Sequence, residues 1–331
     1  SRRRHTRSGP QSRGLGDVYK RQSVDGLGYR TYLSGADEQS ICDAYSDTLV
    51  WHRMVGRGVL AVTSDTNGCV PAETELFNAK RCLLAVRNGE SVKAAYDWVS
   101  HHQAFGVGGV LIFDQAAPGE DLRFATELEA RLQAMGDAAP LVLYVTASRP
   151  VGQSDAPDAR LAAAAPAAPA HVRQQPQAPD PWHSAFGETI LLETLRRRFL
   201  GEAASVAFLS ISDLLLTGRQ GETAFDRAEE LPGRCYLLEG KEYYPWRLRK
   251  GGTRHVDHVH LRRDEARKVT RWCVAPKTLE DPSVWRMIRV GGARGVVEGA
   301  RFVRAMGVAY PGAKVGQLVQ KSTLIEDFGV R

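Results

Sequence analysis

The sequence predicts an α/β protein: a Rossmann-like, mainly parallel sheet flanked by helices. Three observations carry that expectation. Short apolar runs with the length of a buried parallel strand recur at 81–86, 110–113 and 141–145. Amphipathic helical segments separate them, at about 92–105 and 120–135. Strand and helix thus alternate three times in a row, the pattern of an α/β sheet with right-handed crossovers and helices on its faces.

The chain opens with residues 1–22, which have no apolar period and resemble translated adaptor sequence, so they are set aside as a non-native tail. They hold six Arg, one Lys and one Asp, which is the whole +6 net charge of the 331-residue chain. The remainder is balanced, so the basic pI argues for neither a nucleic-acid nor a membrane partner. No run reaches transmembrane length. Five scattered cysteines without a C-x-x-C pair indicate neither a disulfide framework nor a zinc site, which fits a reducing cytoplasm. Residues 23–80 read as an N-terminal addition of unassigned role, a cap or a sheet-edge extension. Its strand candidates are Arg30 to Leu33, Leu49 to Trp51 and Val59 to Val62, and its His52 and Asp65 are expected at the surface.

Arg81 to Val86 is the first apolar run, and Arg87-Asn88-Gly89-Glu90 breaks it before Ser91 offers a helix N-cap. Val92, Tyr96 and Val99 repeat at helical spacing beside a stripe of Ala94, Trp98 and Phe105, until Gly106 and Gly108 end the pattern. Val110 to Phe113 delivers Asp114 at its carboxyl end. The next helix turns Leu122, Ala125, Leu128, Leu132 and Met135 inward, stops at Gly136, and is followed by the strand Leu141 to Val145. Residues 155–181, with ten Ala and six Pro, read as a flexible or extended excursion, within a wider interruption of about 150–181. A helix from Trp182 to about Leu200 buries Leu191, Leu192, Leu195 and Phe199. Its Arg196, Arg197 and Arg198 suit the negative end of the helix dipole. A further strand, Val206 to Ile211, runs into Ser210-Ile211-Ser212-Asp213, and Trp285 to Val290 looks strand-like. Trp272 and Trp285 are expected in the core.

Ligands of open parallel sheets lie beyond the carboxyl ends of the strands, where Arg87, Asn88, Glu90 and Asp114 fall. The wording there resembles bacterial family 2 glycosyltransferases, which open with Arg-Asn-Glu, then Glu-Trp-x-x-x-His, then Tyr-Asp after the next strand. The counterparts are Arg87-Asn88-Gly89-Glu90, Asp97-Trp98 with His101-His102, and Phe113-Asp114. Gly89 precedes the acid, and Asp97 stands for Glu. The resemblance covers roughly 80–290 and implies a GT-A-like domain over 81–331. It also implies a cytoplasmic enzyme moving sugar from a nucleotide-sugar donor to a saccharide, glycan or other hydroxyl acceptor, with Arg87, Asn88, Glu90 and Asp114 on the donor.

That family holds a divalent ion, Mn²⁺ or Mg²⁺, on an Asp-x-Asp motif after the later strand. Serines stand at 210 and 212, and only Asp213 keeps a carboxylate. Three accounts stay open: a weakly held ion on Asp213, cationic side chains in place of the metal, or loss of catalysis. For the second, Arg262 and Lys268 are the donor-binding candidates, within a basic set of Arg247, Arg249, Lys250, Arg254, Arg263 and Arg267. For the first, His258 or His260 of His255-Val-Asp-His-Val-His260 would complete the metal site. An inverting transfer also needs a general base for the acceptor hydroxyl; Asp257, Asp226 and Glu239 are the candidates, and spacing favours none of them. The rival reading is an inactive nucleotide-sugar or saccharide-binding pseudoenzyme. A dehydrogenase is disfavoured because no G-x-G-x-x-G follows the first strand.

Overall fold

The computed structural model describes residues 49–54, 59–62, 73–114, 120–147, 178–179, 188–218, 220–245, 254–262, 268–279, 283–308 and 324–326. The candidate strand at 30–33, Asp65 and nearly all of the Ala/Pro-rich excursion lie outside them.

Four strands form a parallel centre: β3 (Arg81–Arg87), β4 (Val107–Asp114), β5 (Leu141–Ala147) and β6 (Ser205–Phe208). Their spatial order is β5-β4-β3-β6, so the first strand lies between the second and the fourth. Antiparallel strands extend both sides. Beyond β5 come β1 (Leu49–Met54) and β2 (Val59–Val62), so this part of the N-terminal segment is an edge extension of the main sheet. On the other side, β10 (Lys268–Val274) pairs antiparallel with β6 and with β8 (Arg234–Pro245). β7 (Asp213–Leu216) pairs with β13 (Arg294–Ala305), which runs parallel to β8; β9 (His258–Arg262) and β14 (Leu324–Glu326) finish this side. The mixed α/β architecture with a parallel centre is the expected one, and its margins are antiparallel.

Each central strand is apolar on both faces because both are covered. Leu83, Ala85, Val110 and Ile112 join one core, against α1 (Val92–Gln103) and α2 (Glu120–Gln133). Cys82, Leu84, Leu111 and Phe113 join the other, against α3 (Glu188–Leu195). The period-two split explains why the runs read as continuous. Ser91 caps α1 by accepting from the Ala94 N–H at 3.2 Å, and Trp98 on its inner face is fully buried. Gly106, at φ +76°, stops the helix region, whereas Gly108 and Gly109 belong to β4. A Cβ on Gly109 would stand 2.5 Å from the Phe77 ring, so close packing explains that glycine.

One expected boundary moves, and two elements differ in kind. The strand expected to reach Ile211 ends at Phe208, and Leu209 to Ser212 form the turn into β7. The helix region ending at Leu200 finishes as a π-turn at Arg196–Leu200. Trp285 to Val290 is a small hairpin of β11 (Val284–Trp285) and β12 (Val290–Gly291), because the Arg286 N–H bonds back to the Arg289 carbonyl. Trp272 and Trp285 are both fully buried and pack edge to face, as expected of core residues. Among the described residues no helix is long and apolar enough to cross a membrane.

Candidate functional site

The sheet order fixes where a ligand would sit. With β3 between β4 and β6, the direction of strand succession reverses between β3 and β6, and the crevice of such a sheet opens beyond the carboxyl ends at that point. One lip is therefore Arg87 to Glu90, and the other is the turn from Leu209 to Asp213. The Leu209 N–H donates to the Leu84 carbonyl, which ties the second lip to β3.

The first lip is an ordered polar cluster. Arg87 donates from Nη1 to Asp114 Oδ2 at 2.5 Å and from Nε to the Glu90 carbonyl at 2.9 Å, while its guanidinium lies 4.0 Å over the Phe124 ring. The Tyr144 hydroxyl donates to the same Asp114 Oδ2 at 2.5 Å. Both bonds fall on one oxygen of Asp114, so Oδ1 accepts no hydrogen bond from the described residues. A buried carboxylate with one oxygen pinned and the other open is a ready acceptor for an N–H or O–H of a ligand. Asn88 uses its side chain to donate to the Val86 carbonyl, and its backbone N–H donates to Glu90 Oε2 at 2.5 Å. Glu90 is fully buried, and its Oε1 has no hydrogen-bond partner among the described residues. Burial raises its pKa to about 7, against the lowering effect of the Asn88 N–H and of Arg87. Arg87, Asn88, Glu90 and Asp114 thus stand together.

Asp213, expected to hold a metal or take part in catalysis, is occupied differently. It has no exposed surface, and Arg271 Nε donates to Oδ2 at 2.7 Å. Arg304 donates from Nε to Oδ1 at 2.8 Å and from Nη2 to Oδ2 at 3.1 Å; the Ser210 N–H adds a bond to Oδ2 at 3.0 Å. Two guanidiniums face one carboxylate. The helix motif that carries the resemblance serves this same strand. Trp98 Nε1 donates to the Asp213 carbonyl, His101 Nε2 meets the Leu215 carbonyl, and His102 Nε2 accepts the Leu215 N–H at 3.1 Å. Asp97 pairs with Arg254 at 3.1 Å.

The histidine-rich turn also serves the backbone. His255 Nε2 meets the Ile211 carbonyl at 2.7 Å. His258 has Nε2 against the Met306 carbonyl at 2.6 Å and Nδ1 against the carbonyls of Arg254 and His255, so neither nitrogen points a lone pair at an ion. Burial drives the His102 pKa down to about 3 and that of His255 to about 4, and also lowers His258. His260 lies on β9 opposite Tyr244 and Glu326. Asp257 Oδ2 accepts the Arg254 N–H at 3.0 Å on the turn that His255 pins to the second lip. Arg262 ends β9 and Lys268 begins β10. Asp226 pairs with Arg81 at the amino end of β3, the end opposite Arg87; Glu239 is exposed on β8.

A divalent ion, the group the resemblance implies, does not fit the residues proposed for it. Hard cations need open carboxylate oxygens. Those of Asp213 are filled by guanidiniums, and among the described residues no group of three or more His, Cys, Asp or Glu could hold an ion. Tyr144, Arg271 and Arg304 were not anticipated from sequence. A buried arginine inside the apolar strand Lys268–Val274 was the available signal, since such a charge requires a partner. No family model matches this chain, and no curated protein matches it.

Proposed function

We propose that this protein is a glycosyltransferase of the family 2, GT-A type, which binds a nucleotide-sugar at the carboxyl edge of the parallel strands. The observation that carries the reading is the Arg87–Asp114–Tyr144 cluster, whose Asp114 Oδ1 accepts no hydrogen bond from the described residues, beside the strand-order reversal. In the transfer, the bond from the anomeric carbon to the diphosphate oxygen breaks and the nucleoside diphosphate leaves with the electron pair. An acceptor hydroxyl oxygen bonds the anomeric carbon, and its proton passes to a base, a role we assign to Asp257.

The test incubates the full chain with UDP-, GDP- and dTDP-sugars, each with and without Mn²⁺, and follows release of nucleoside diphosphate and donor binding together. Turnover with one donor is the expected result; no binding of any donor would end the reading. A second reading, a nucleotide-sugar-binding protein without turnover, is favoured by the engagement of Asp213, the only carboxylate of its motif. Binding without release across an acceptor panel is its signature.

A further inference from the structure

Resting on the nucleotide-sugar reading, we propose that Tyr144 is a positioning residue for the donor: its hydroxyl and Arg87 hold Asp114 from the two neighbouring strands and present one chosen oxygen of that carboxylate to the nucleotide. A carboxylate at a strand end does not fix its own orientation, because the last torsion of Asp is broad rather than staggered. Two donors fix it here. Arg87 stands directly beside Asp114 in the pairing of β3 with β4, whereas Tyr144 on β5 pairs with Ile112, two residues before Asp114 on the same face. The phenol spans that step, and its hydroxyl and Arg87 Nη1 reach the same Oδ2 at 2.5 Å each. One donor per oxygen would have occupied both. With both donors on Oδ2, Oδ1 accepts no hydrogen bond from the described residues.

The two donors are themselves seated. Tyr144 is fully buried and stacks on Phe124 of α2, with ring centroids 5.4 Å apart and planes at 28°. The Arg87 guanidinium lies 4.0 Å over that same Phe124 ring. One ring from the covering helix therefore touches both groups that grip Asp114, and β3, β5 and α2 all bear on the carboxylate at the end of β4. Filling this part of the core asks only for an apolar ring, which Phe would supply. The hydroxyl is the part that needs an acceptor, and Asp114 supplies one. A carboxylate oriented before binding spares the complex the cost of ordering it, so the hydroxyl should register in nucleotide affinity.

Titration calorimetry on the full chain with UDP, GDP and dTDP decides this through a double-mutant cycle. Tyr144→Phe keeps the ring and removes the hydroxyl, and it should weaken binding of whichever nucleotide the wild type takes roughly fivefold, the worth of one hydrogen bond. Added to Asp114→Ala, the same change should alter affinity by less than about twofold, because the hydroxyl acts only through that carboxylate. A merely structural tyrosine would give equal losses in both backgrounds. Phe124→Leu, which unseats both donors, should follow the same pattern with at least as large a loss, and it carries the comparison if Tyr144→Phe fails to fold. Unchanged affinity in folded Tyr144→Phe, or losses that are equal with and without the Asp114 carboxylate, overturns the inference and leaves the nucleotide reading intact. No binding of any of the three nucleotides by the wild type overturns both.

Discussion

The two ends of β3 carry an arginine each, and they are employed in opposite ways. At the amino end, Arg81 donates from Nη2 to Asp226 and to Glu229, both at 2.7 Å, with side chains 27–37% exposed. Asp226 also closes the capping box of α4 (Ala224–Glu230) with Thr223. At the carboxyl end, Arg87 meets one buried carboxylate whose second oxygen accepts no hydrogen bond from the described residues, beside Glu90, whose Oε1 has no partner among them either. The amino end is an excess of acceptors around one cation in water; the carboxyl end is a buried set with acceptors left over. Groups whose hydrogen bonding is complete hold a fold together, whereas buried acceptors left open are what a ligand can complete.

The largest expected effect tests whether the second lip is structural as well as functional. Asp213→Ala leaves Arg271 buried without its carboxylate, and the loss should be about 3–5 kcal/mol in denaturant unfolding. A loss below about 1 kcal/mol would mean that Asp213 is not the anchor of this turn. Next come the acids at the two ends of β3. Asp114→Ala should cost about 2 kcal/mol and weaken donor binding roughly tenfold, because a buried charged partner and the open acceptor go together. Asp226→Ala should cost about 1 kcal/mol through the cap and an exposed ion pair, with donor affinity unchanged. Equal binding losses in the two variants would erase the distinction between the ends.

The parallel centre was legible because each strand and helix announces itself locally: an apolar run, a serine cap, a glycine at positive φ. The first lip was legible for the same reason, since Arg87, Asn88 and Glu90 are neighbours and Asp114 ends the next strand. The second lip was not. Asp213, Arg271 and Arg304 are brought together only by the pairings of β7 with β13 and of β10 with β6, which no local pattern encodes. His258 looked like a ligand because imidazole suits metals. Whether its nitrogens are free depends on backbone carbonyls at Arg254 and Met306, which the sequence does not display.

The two lips should also respond oppositely to pH. Glu90 has a folded pKa of about 7, above the ordinary carboxyl value, so its contribution is present at acid pH and is lost as pH rises through 7. His102 and His255, at about 3 and about 4, lie below the ordinary histidine value. Their contribution is present above about 6.5 and is lost as pH falls toward those values. Between about pH 5 and 7 the effects oppose. Glu90→Gln deletes the first one, so unfolding free energy should climb more steeply with pH over that window than in the wild type. An unchanged slope would mean that the Glu90 carboxyl titrates in the ordinary range.

The smallest expected effect is Arg81→Lys. The ammonium keeps the charge but can reach Asp226 and Glu229 only as a point donor, losing the Nε bond to Glu229 at 3.0 Å. Because these side chains remain about a third exposed, water replaces what is lost, and the cost should be about 0.5 kcal/mol by thermal or denaturant unfolding. The same substitution at the other end, Arg87→Lys, removes the Nε bond to the Glu90 carbonyl and the stacking over Phe124 from a half-buried site. It should therefore cost more in stability and also lower donor affinity. Donor affinity is the sharper readout, since Arg81 lies at the amino end of β3, away from the first lip, and its ion-pair partners are Asp226 and Glu229. A fall in donor affinity on Arg81→Lys comparable to that on Arg87→Lys would show the two edges energetically coupled through β3, and the division between a saturated end and a ligand-completed end would have to be given up.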